Sequence, residues 1–230
     1  MRYYKCMNSY EVEVKSLLGS EEAADALRER MRQVDVATAL TSRNKQLNHY
    51  FTGGDMQKLV EGMAPHFSAE TLAKFKDIAS KGKDFSTRTR DKDGTVLLVV
   101  KASVGNDSSS NGVARMEFEE RVDMSLDELD ELLLQADFRY QAKWSREREE
   151  YVCRSINVCL DRNAGYGWLA EFEKVVQSET ELEYARQEVR ALMEACGVQE
   201  LQQERLERMF AFYNAHWNEY YGTNKVFTVA

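Results

Sequence analysis

The sequence predicts an α+β protein in which a closed antiparallel β-barrel carries helices on its outside. Several segments alternate charged and apolar residues with period two. The first places Glu11, Glu13 and Lys15 on one strand face and Val12 and Val14 on the other. Other segments have capped helical spacing. A closed barrel would account for charged faces on so many strands. The apolar faces would lie outside, under the helices, and the charged faces would line the interior.

Length and composition favour one globular domain, which we place over residues 1–230. The net charge of −8 argues against an extended nucleic-acid surface, which is normally basic. No apolar run approaches the roughly 20 residues that span a bilayer, and the first residues lack the apolar core of a signal peptide. The 4 cysteines form no Cys-x-x-Cys pair and the 3 histidines are scattered, which argues against zinc. We therefore expect a cytoplasmic protein with no membrane or nucleic-acid partner, and leave its oligomeric state open.

The first half of the chain predicts strands and short helices. After the strand of residues 10–15, Ser20 is a natural helix N-cap, and helical spacing continues to about Arg32. β-branched residues favour two further strands. Pro65 separates two short helices because it removes a backbone donor. The expected ranges are strands 34–41 and 46–52, ended by Gly53-Gly54, and helices 55–64 and 68–79.

The second half opens with a hairpin, because Asp93-Gly94 is a strong turn signal between two alternating segments. Ser125 caps a helix. Residues 138–151 favour a strand, although their charge density also allows a helix. The tail of residues 179–221 favours two helices broken at Cys196-Gly197. The remaining ranges are strands 84–90, 95–101, 113–122, 156–160 and 167–175, a flexible loop 105–112 and the helix 125–135.

Charged residues recur on the strand faces after the first strand: Arg88/Arg90, Lys101, Glu117/Glu119, Arg146/Arg148, Asp161 and Glu171/Glu173. Any one of these pairs alone would more often be solvated. Inside a barrel they must compensate one another, because unpaired buried ions are costly. Guanidinium and ammonium groups bind phosphate oxygens, and carboxylates bind a divalent cation. The set favours a polyanion site with a divalent metal, and the sequence has no P-loop motif.

These motifs, in this order, resemble those of the CYTH family, also called triphosphate tunnel metalloenzymes. The family includes class IV adenylyl cyclases, thiamine triphosphatases and inorganic triphosphatases. The resemblance covers about residues 10–175 and continues more weakly into the C-terminal helices. It implies an eight-stranded antiparallel tunnel that binds a small-molecule triphosphate with Mg²⁺ or Mn²⁺. Residues 55–82 form a longer helical insertion than compact members carry.

The resemblance also implies roles for individual residues. The phosphate ligands would be Lys15, Arg88, Arg90, Lys101, Arg146 and Arg148, with Lys143 as the alternative to Arg146 if the strand register differs. The residues that bind metal or position the attacking water would be Glu11, Glu13, Glu119, Glu171 and Glu173, with Glu117 and Asp161 as further candidates. Glu11, Glu13 and Lys15 are the expected catalytic group.

Three activities are compatible with such a tunnel. The first is a metal-dependent triphosphate hydrolase, the second a class IV-type adenylyl cyclase, and the third a polyphosphate-binding or nucleotide-binding module without catalysis. Some cyclases of the family carry a His-Phe pair before the Glu-x-Glu-x-Lys motif, and residues 3–8 here read Tyr-Tyr-Lys-Cys-Met-Asn. The many retained carboxylates favour catalysis over simple anion binding. We therefore expect hydrolysis.

Overall fold

Eight strands form one antiparallel sheet in a computed structural model that describes residues 10–103 and 115–228. The strand order is β1-β8-β7-β6-β2-β3-β4-β5. The sheet curls into the predicted tunnel, and its end strands are β1 and β5. Among the described residues no backbone ladder joins these two strands. The strands are β1 (Tyr10–Leu17), β2 (Ala39–Gly53), β3 (Lys83–Lys92), β4 (Thr95–Ser103), β5 (Arg115–Arg121), β6 (Phe138–Cys153), β7 (Ile156–Asn163) and β8 (Gly167–Val176).

Six helices surround the sheet in the described part of the chain, and four of them begin at a side-chain cap. Ser20, Asp55, Ser68 and Ser125 each accept a hydrogen bond from a backbone N–H of the first turn. Such a cap contributes about 1 kcal/mol. The predicted starts at Ser20 and Ser125 are confirmed. The helices are α1 (Glu21–Val34), α2 (Met56–Met63), α3 (Ala69–Lys81), α4 (Leu126–Gln135), α5 (Leu182–Ala195) and α6 (Gln203–Tyr220), with short 3₁₀ helices at Ala64–His66 and Glu179–Glu181.

The helices cover the apolar outer face of the sheet. One buried cluster joins strands β1, β6, β7 and β8 to α1 and α5, around Phe172 and Leu27. A second joins β4, β5 and β6 to α2, α3 and α4, around Phe75 and Leu129. Because both clusters lie outside the sheet, the charged residues of the same strands point into the tunnel. None of the described helices is long and apolar enough to cross a membrane.

Two predicted elements differ from the structure. The strands expected at 34–41 and 46–52 are one strand, β2, which begins at Ala39, and α1 runs on to Val34. The polar stretch Ser42–Lys45 stays extended because each residue pairs with the long strand β6, from Ser42 opposite Glu150 to Lys45 opposite Glu147. Residues 138–151 belong to a strand, so their helical alternative is wrong. The loop expected at 105–112 lies outside the described residues.

Candidate active site

The inward strand faces enclose a cavity of about 520 Å³. Every predicted site residue except Lys143 lines it. The acidic members are Glu11, Glu13, Glu117, Glu119, Asp161, Glu171 and Glu173, and the basic members are Lys15, Arg88, Arg90, Lys101, Arg146 and Arg148. Residues far apart in the sequence are thus brought together because the sheet pairs its first strand with its last.

The Glu-x-Glu-x-Lys segment of β1 lies against β8. Glu13 is directly opposite Glu173, and Lys15 is directly opposite Glu171. The Lys15 ammonium contacts the Glu13 carboxylate and lies 3.4 Å from Glu171 Oε1. Burial alone would raise the pKa of Glu171, but the positive charges of Lys15 and the nearby arginines outweigh burial and lower it. Glu171 is therefore ionised and tied to cations.

Asp161 of β7 anchors two arginines of the neighbouring strand β6. It is fully buried, and it accepts hydrogen bonds from Arg146 Nη1 at 2.9 Å and from Arg148 Nε at 2.7 Å. Arg148 Nη2 contacts Asp161 and Glu171. Burial opposes the charge of Arg148, but these two carboxylates outweigh it and raise its pKa. Both Asp161 carboxylate oxygens therefore hold guanidinium groups of β6 in place.

Arg88 and Arg90 of β3 face the same cavity. Arg88 Nη1 donates to Tyr50 Oη at 2.6 Å, and Arg90 Nη1 lies 3.0 Å from Glu119 Oε2. Burial and repulsion by Arg88 lower the pKa of Arg90 to about 10. On the next strand, Lys101 Nζ lies 3.4 Å from Glu117 Oε1 and 3.7 Å from Glu11 Oε2. An anion that bound here would relieve the repulsion between the arginines.

Exposure increases from one end of the cavity to the other. The Asp161 side chain is 0% exposed and that of Arg148 is 14% exposed, whereas Glu11 is 34% and Glu117 is 41% exposed. The opposite end is covered by α6, from which Phe210 and Asn214 line the cavity. The guanidiniums of β6 are therefore deep, and the carboxylates of β1 and β5 are near the open end.

The helix α6 is held against the barrel by contacts just before it and near its middle. Before it, the Leu201 N–H donates to the Lys15 carbonyl at 2.7 Å. Within it, Tyr213 stacks on Trp144 with ring centroids 3.8 Å apart, and Tyr213 Oη donates to the Lys143 carbonyl at 2.8 Å. The predicted tail helix therefore closes one mouth of the tunnel.

Lys143 lies on the outer face of β6. Its Nζ is 3.7 Å from Asp130 of α4, a buried carboxylate that also binds His49 and Thr89. The register that places Arg146 inside therefore excludes Lys143 from the cavity. The alternative that Lys143 replaces Arg146 is wrong for this reason.

Sequence reasoning missed the buried polar residues on the inner face of β2 and the aromatic residues that line the cavity. Asn44, Gln46 and Asn48 are buried and hydrogen-bonded in a row, and Tyr50 continues their face. These polar residues occur at every second position, as the charged residues do on the other strands. This pattern could have predicted that they face the same side of the sheet. The aromatic residues Trp144, Tyr166 and Phe210 at the α6 end belong to strand, turn and helix, and share no local pattern.

The carboxylates near the open end fit a divalent cation. Glu13 and Glu173 lie directly opposite each other, and burial together with the negative charges of Glu11 and Glu171 raises the pKa of Glu173 to about 7. A cation there would offset the negative charge around Glu173. In the part of the chain that the structure describes, no three His, Cys, Asp or Glu side chains lie close enough together to hold a metal ion by themselves. This arrangement fits Mg²⁺, which is commonly held by one or two carboxylates together with substrate phosphates.

Comparisons with known proteins agree with this geometry. The protein-family model described as the CYTH domain matches residues 9–205. No curated protein matches the chain. Among solved structures, the PH1819 protein from Pyrococcus horikoshii OT3 is 21% identical with a TM-score of 0.60, covering 90% of this chain and 100% of the other. A conserved hypothetical protein from Pyrococcus furiosus is 15% identical, with a TM-score of 0.58 and coverage of 85% and 93%.

A third solved structure carries a described activity. HpAC1 from Hippeastrum, a proposed adenylyl cyclase described as having a dominant triphosphatase activity, is 16% identical, with a TM-score of 0.50 and coverage of 86% and 95%. Likenesses at this identity concern the fold. The family match spans most of the sequence and includes every strand that forms the cavity. The chain therefore belongs to the CYTH family.

Proposed function

We propose that this protein is a divalent-metal-dependent hydrolase of a small triphosphate, either inorganic triphosphate or an organic or nucleoside triphosphate. The observation that carries the proposal is the convergence of six basic and seven acidic side chains in one cavity. A site that only bound anions would be weakened by so many carboxylates. A triphosphate with a divalent cation requires both signs of charge.

The basic residues would bind and orient the phosphates. Arg146 and Arg148 of β6 lie deep in the cavity, and Arg88 and Arg90 line it from β3, on the other side of β2. Guanidinium groups held in this way stabilise the negative charge that spreads over the equatorial oxygens as the terminal phosphoryl group is transferred. Because α6 covers the deep end, the triphosphate would enter at the end where Glu11 and Glu117 are exposed.

The carboxylates near the open end would hold the cation and orient water. Glu13 and Glu173 are suited to the cation because their carboxylates lie on directly opposed residues of β1 and β8, and Glu11 and Glu119 lie near the same opening. When bound, the cation would polarise the phosphoryl group and neutralise developing charge. Glu171 is already tied to Lys15 and Arg148, so its part is to hold these cations in place.

Cation and triphosphate binding should support each other. In the free protein Glu11 and Glu117 pair with Lys101, and Glu119 pairs with Arg90. A triphosphate that takes Lys101 and Arg90 releases these carboxylates for a cation. Mn²⁺ should therefore bind more tightly in the presence of a non-hydrolysable triphosphate analogue, by calorimetry corrected for the complex that forms in solution. Equal affinities with and without the analogue would contradict this coupling.

The test is a product assay with several substrates. Inorganic triphosphate, thiamine triphosphate, ATP and GTP are incubated with Mg²⁺ or Mn²⁺, and free phosphate, pyrophosphate and cyclic nucleotide are scored separately. We expect free phosphate, and we expect Glu13→Gln and Glu171→Gln to abolish it. Glu147→Gln is the control, because this exposed glutamate pairs with Lys45 on the outer face.

The outcomes separate the alternative activities. Pyrophosphate together with cyclic AMP from ATP would identify a cyclase. A cyclase would use the same basic residues and cation to bind the phosphates, with the ribose hydroxyl as nucleophile. Tight triphosphate binding without turnover in the presence of either Mg²⁺ or Mn²⁺ would identify a binding module and would refute the hydrolase proposal.

A further inference from the structure

A row of neutral amides runs along the inner face of β2, between the two arginine-bearing strands. Asn44, Gln46 and Asn48 alternate with outward residues, and each is at most 4% exposed. Gln46 Nε2 donates to Asn44 Oδ1 at 2.7 Å, and Asn48 Nδ2 donates to Gln46 Oε1 at 3.4 Å. Buried amides are retained in proteins when their hydrogen bonds are satisfied, and these satisfy one another.

The arginines fix the direction of this row. An arginine Nε–H can only donate, so the atom that faces it must be an oxygen. Arg90 Nε donates to Asn48 Oδ1 at 2.8 Å, and Arg146 Nε donates to Gln46 Oε1 at 2.9 Å. The Asn48 amide nitrogen must then face Gln46, and the Gln46 amide nitrogen must face Asn44. Every amide therefore points the same way.

The row ends on a negative charge. Asn44 Nδ2 donates to Glu150 Oε1 at 3.1 Å and to Ser42 Oγ at 3.0 Å. Glu150 Oε1 also lies 3.7 Å from Lys92 Nζ. A chain with a cation at its start and a carboxylate at its end is polarised throughout, and each hydrogen bond strengthens the next.

We propose that Asn44, Gln46, Asn48 and Glu150 are positioning residues that hold Arg90 and Arg146 for the triphosphate; this role rests on the proposed function. The chain binds each guanidinium through its inner nitrogen Nε. A carboxylate takes Nη1 of each, from Glu119 and Asp161 respectively. Within the described residues, Nη2 of Arg90 and Nη2 of Arg146 make no hydrogen bond, so these nitrogens can bind a ligand.

Neutral acceptors suit this task better than carboxylates would. Arg148 is bound by two carboxylates, and its charge is largely compensated. Amide oxygens orient a guanidinium without cancelling its charge, so Arg90 and Arg146 keep more attraction for phosphate. The low pKa of Arg90 agrees with this, since its charge is under-compensated in the free protein.

The test is a double-mutant cycle on the affinity for inorganic triphosphate, measured by calorimetry in EDTA. Gln46→Leu removes the chain, and we expect affinity to fall roughly ten- to hundredfold. Arg146→Lys keeps the charge but has no Nε–H to be held. If Gln46 acts through the arginines, its substitution has a smaller effect in the Arg146→Lys background. Fully multiplicative effects, or unchanged affinity in Gln46→Leu, would overturn the proposal.

A matched control separates positioning from general stability. Phe75→Leu alters a buried residue of the outer cluster, so it should lower the melting temperature and leave triphosphate affinity unchanged. A similar loss of affinity in this variant would assign the Gln46 effect to stability and refute the positioning role.

A second measurement does not depend on any substrate. The side-chain amide protons of Gln46 and Asn48 should exchange slowly with solvent in ¹⁵N spectra, and their signals should shift in Arg146→Lys. Fast exchange and unshifted signals refute the chain, whatever the protein hydrolyses. Slow exchange in a protein that binds no triphosphate would confirm the chain but refute both its positioning role and the proposed function.

Discussion

Replacing Glu173 by glutamine should stabilise the free protein at alkaline pH and impair its activity. Burial, the charge of Glu11 and the charge of Glu171 raise the pKa of Glu173 to about 7 from its ordinary 4.5. Between these two values the unfolded chain has lost this proton while the folded chain keeps it. Stability therefore falls as pH rises from about 4.5 to about 7. A glutamine resembles the protonated carboxyl at every pH and avoids this loss.

The size of the effect follows from the same two pKa values. Their difference corresponds to about 3 kcal/mol, at 1.36 kcal/mol per pKa unit. Glu173 is only partly buried, so solvent screening reduces this to about 1–2 kcal/mol. For a protein of this length that is a rise of roughly 2–8 °C in melting temperature. The gain should be about a quarter of its full size at pH 5 and complete by pH 8.

Thermal unfolding of the metal-free protein at pH 5 and pH 8 tests this reasoning. Glu147→Gln on the outer face serves as the control, and we expect its stability to change by less than about 0.5 kcal/mol at either pH. Added Mg²⁺ should stabilise the parent more than Glu173→Gln. The reasoning is refuted if Glu173→Gln has the same melting temperature as the parent at pH 8, or a lower one.

Three further predictions concern buried groups. Asp161→Asn should lose about 3–5 kcal/mol in urea unfolding, because it leaves two buried guanidiniums under-compensated; a loss below about 1 kcal/mol would contradict the anchoring role. Burial raises the pKa of Asp130, but hydrogen bonds from three side chains outweigh burial and lower it. Asp130→Asn should therefore be destabilising at pH 7, and its effect in thermal unfolding should shrink as the pH falls below 3.8, the ordinary pKa of the group; an effect that does not shrink with falling pH would contradict this. Burial raises the pKa of every described thiol, to about 12 for Cys159 and about 11 for Cys196, so peptide mapping should find Cys153, Cys159 and Cys196 unalkylated by iodoacetamide until the protein unfolds.

The strand faces and helix starts could be predicted because they depend on local chemistry. Alternation with period two assigns each side chain of β1 to a face whichever strand lies beside it. A serine followed by acidic residues favours a helix start by itself, as at Ser20 and Ser125. These local rules, with the family resemblance, were enough to place all the predicted ligands except Lys143 in one cavity.

The amide chain and the position of Lys143 needed the structure. Asn44, Gln46 and Asn48 are residue types usually found in loops or on surfaces, and only the charged strands beside β2 give them a buried role. Lys143 is an odd number of residues from Arg146, so alternation already placed the two on opposite faces. The sequence could not show that β6 is continuous between them, because its charge density also allowed a helix.

The pairing of β1 with β8 explains why the site chemistry could not be predicted from alternation alone. Inward residues must face inward residues, so only shifts of two residues remain open once the faces are known. A shift that placed Lys15 opposite Glu173 and Glu13 opposite Val175 would give an attractive pair and no like-charged pair. The observed register instead pairs Lys15 with Glu171 and leaves Glu13 facing Glu173. Two carboxylates kept opposite each other beside an attractive alternative are the kind of local conflict that marks a functional site, and here a divalent cation would offset their charge.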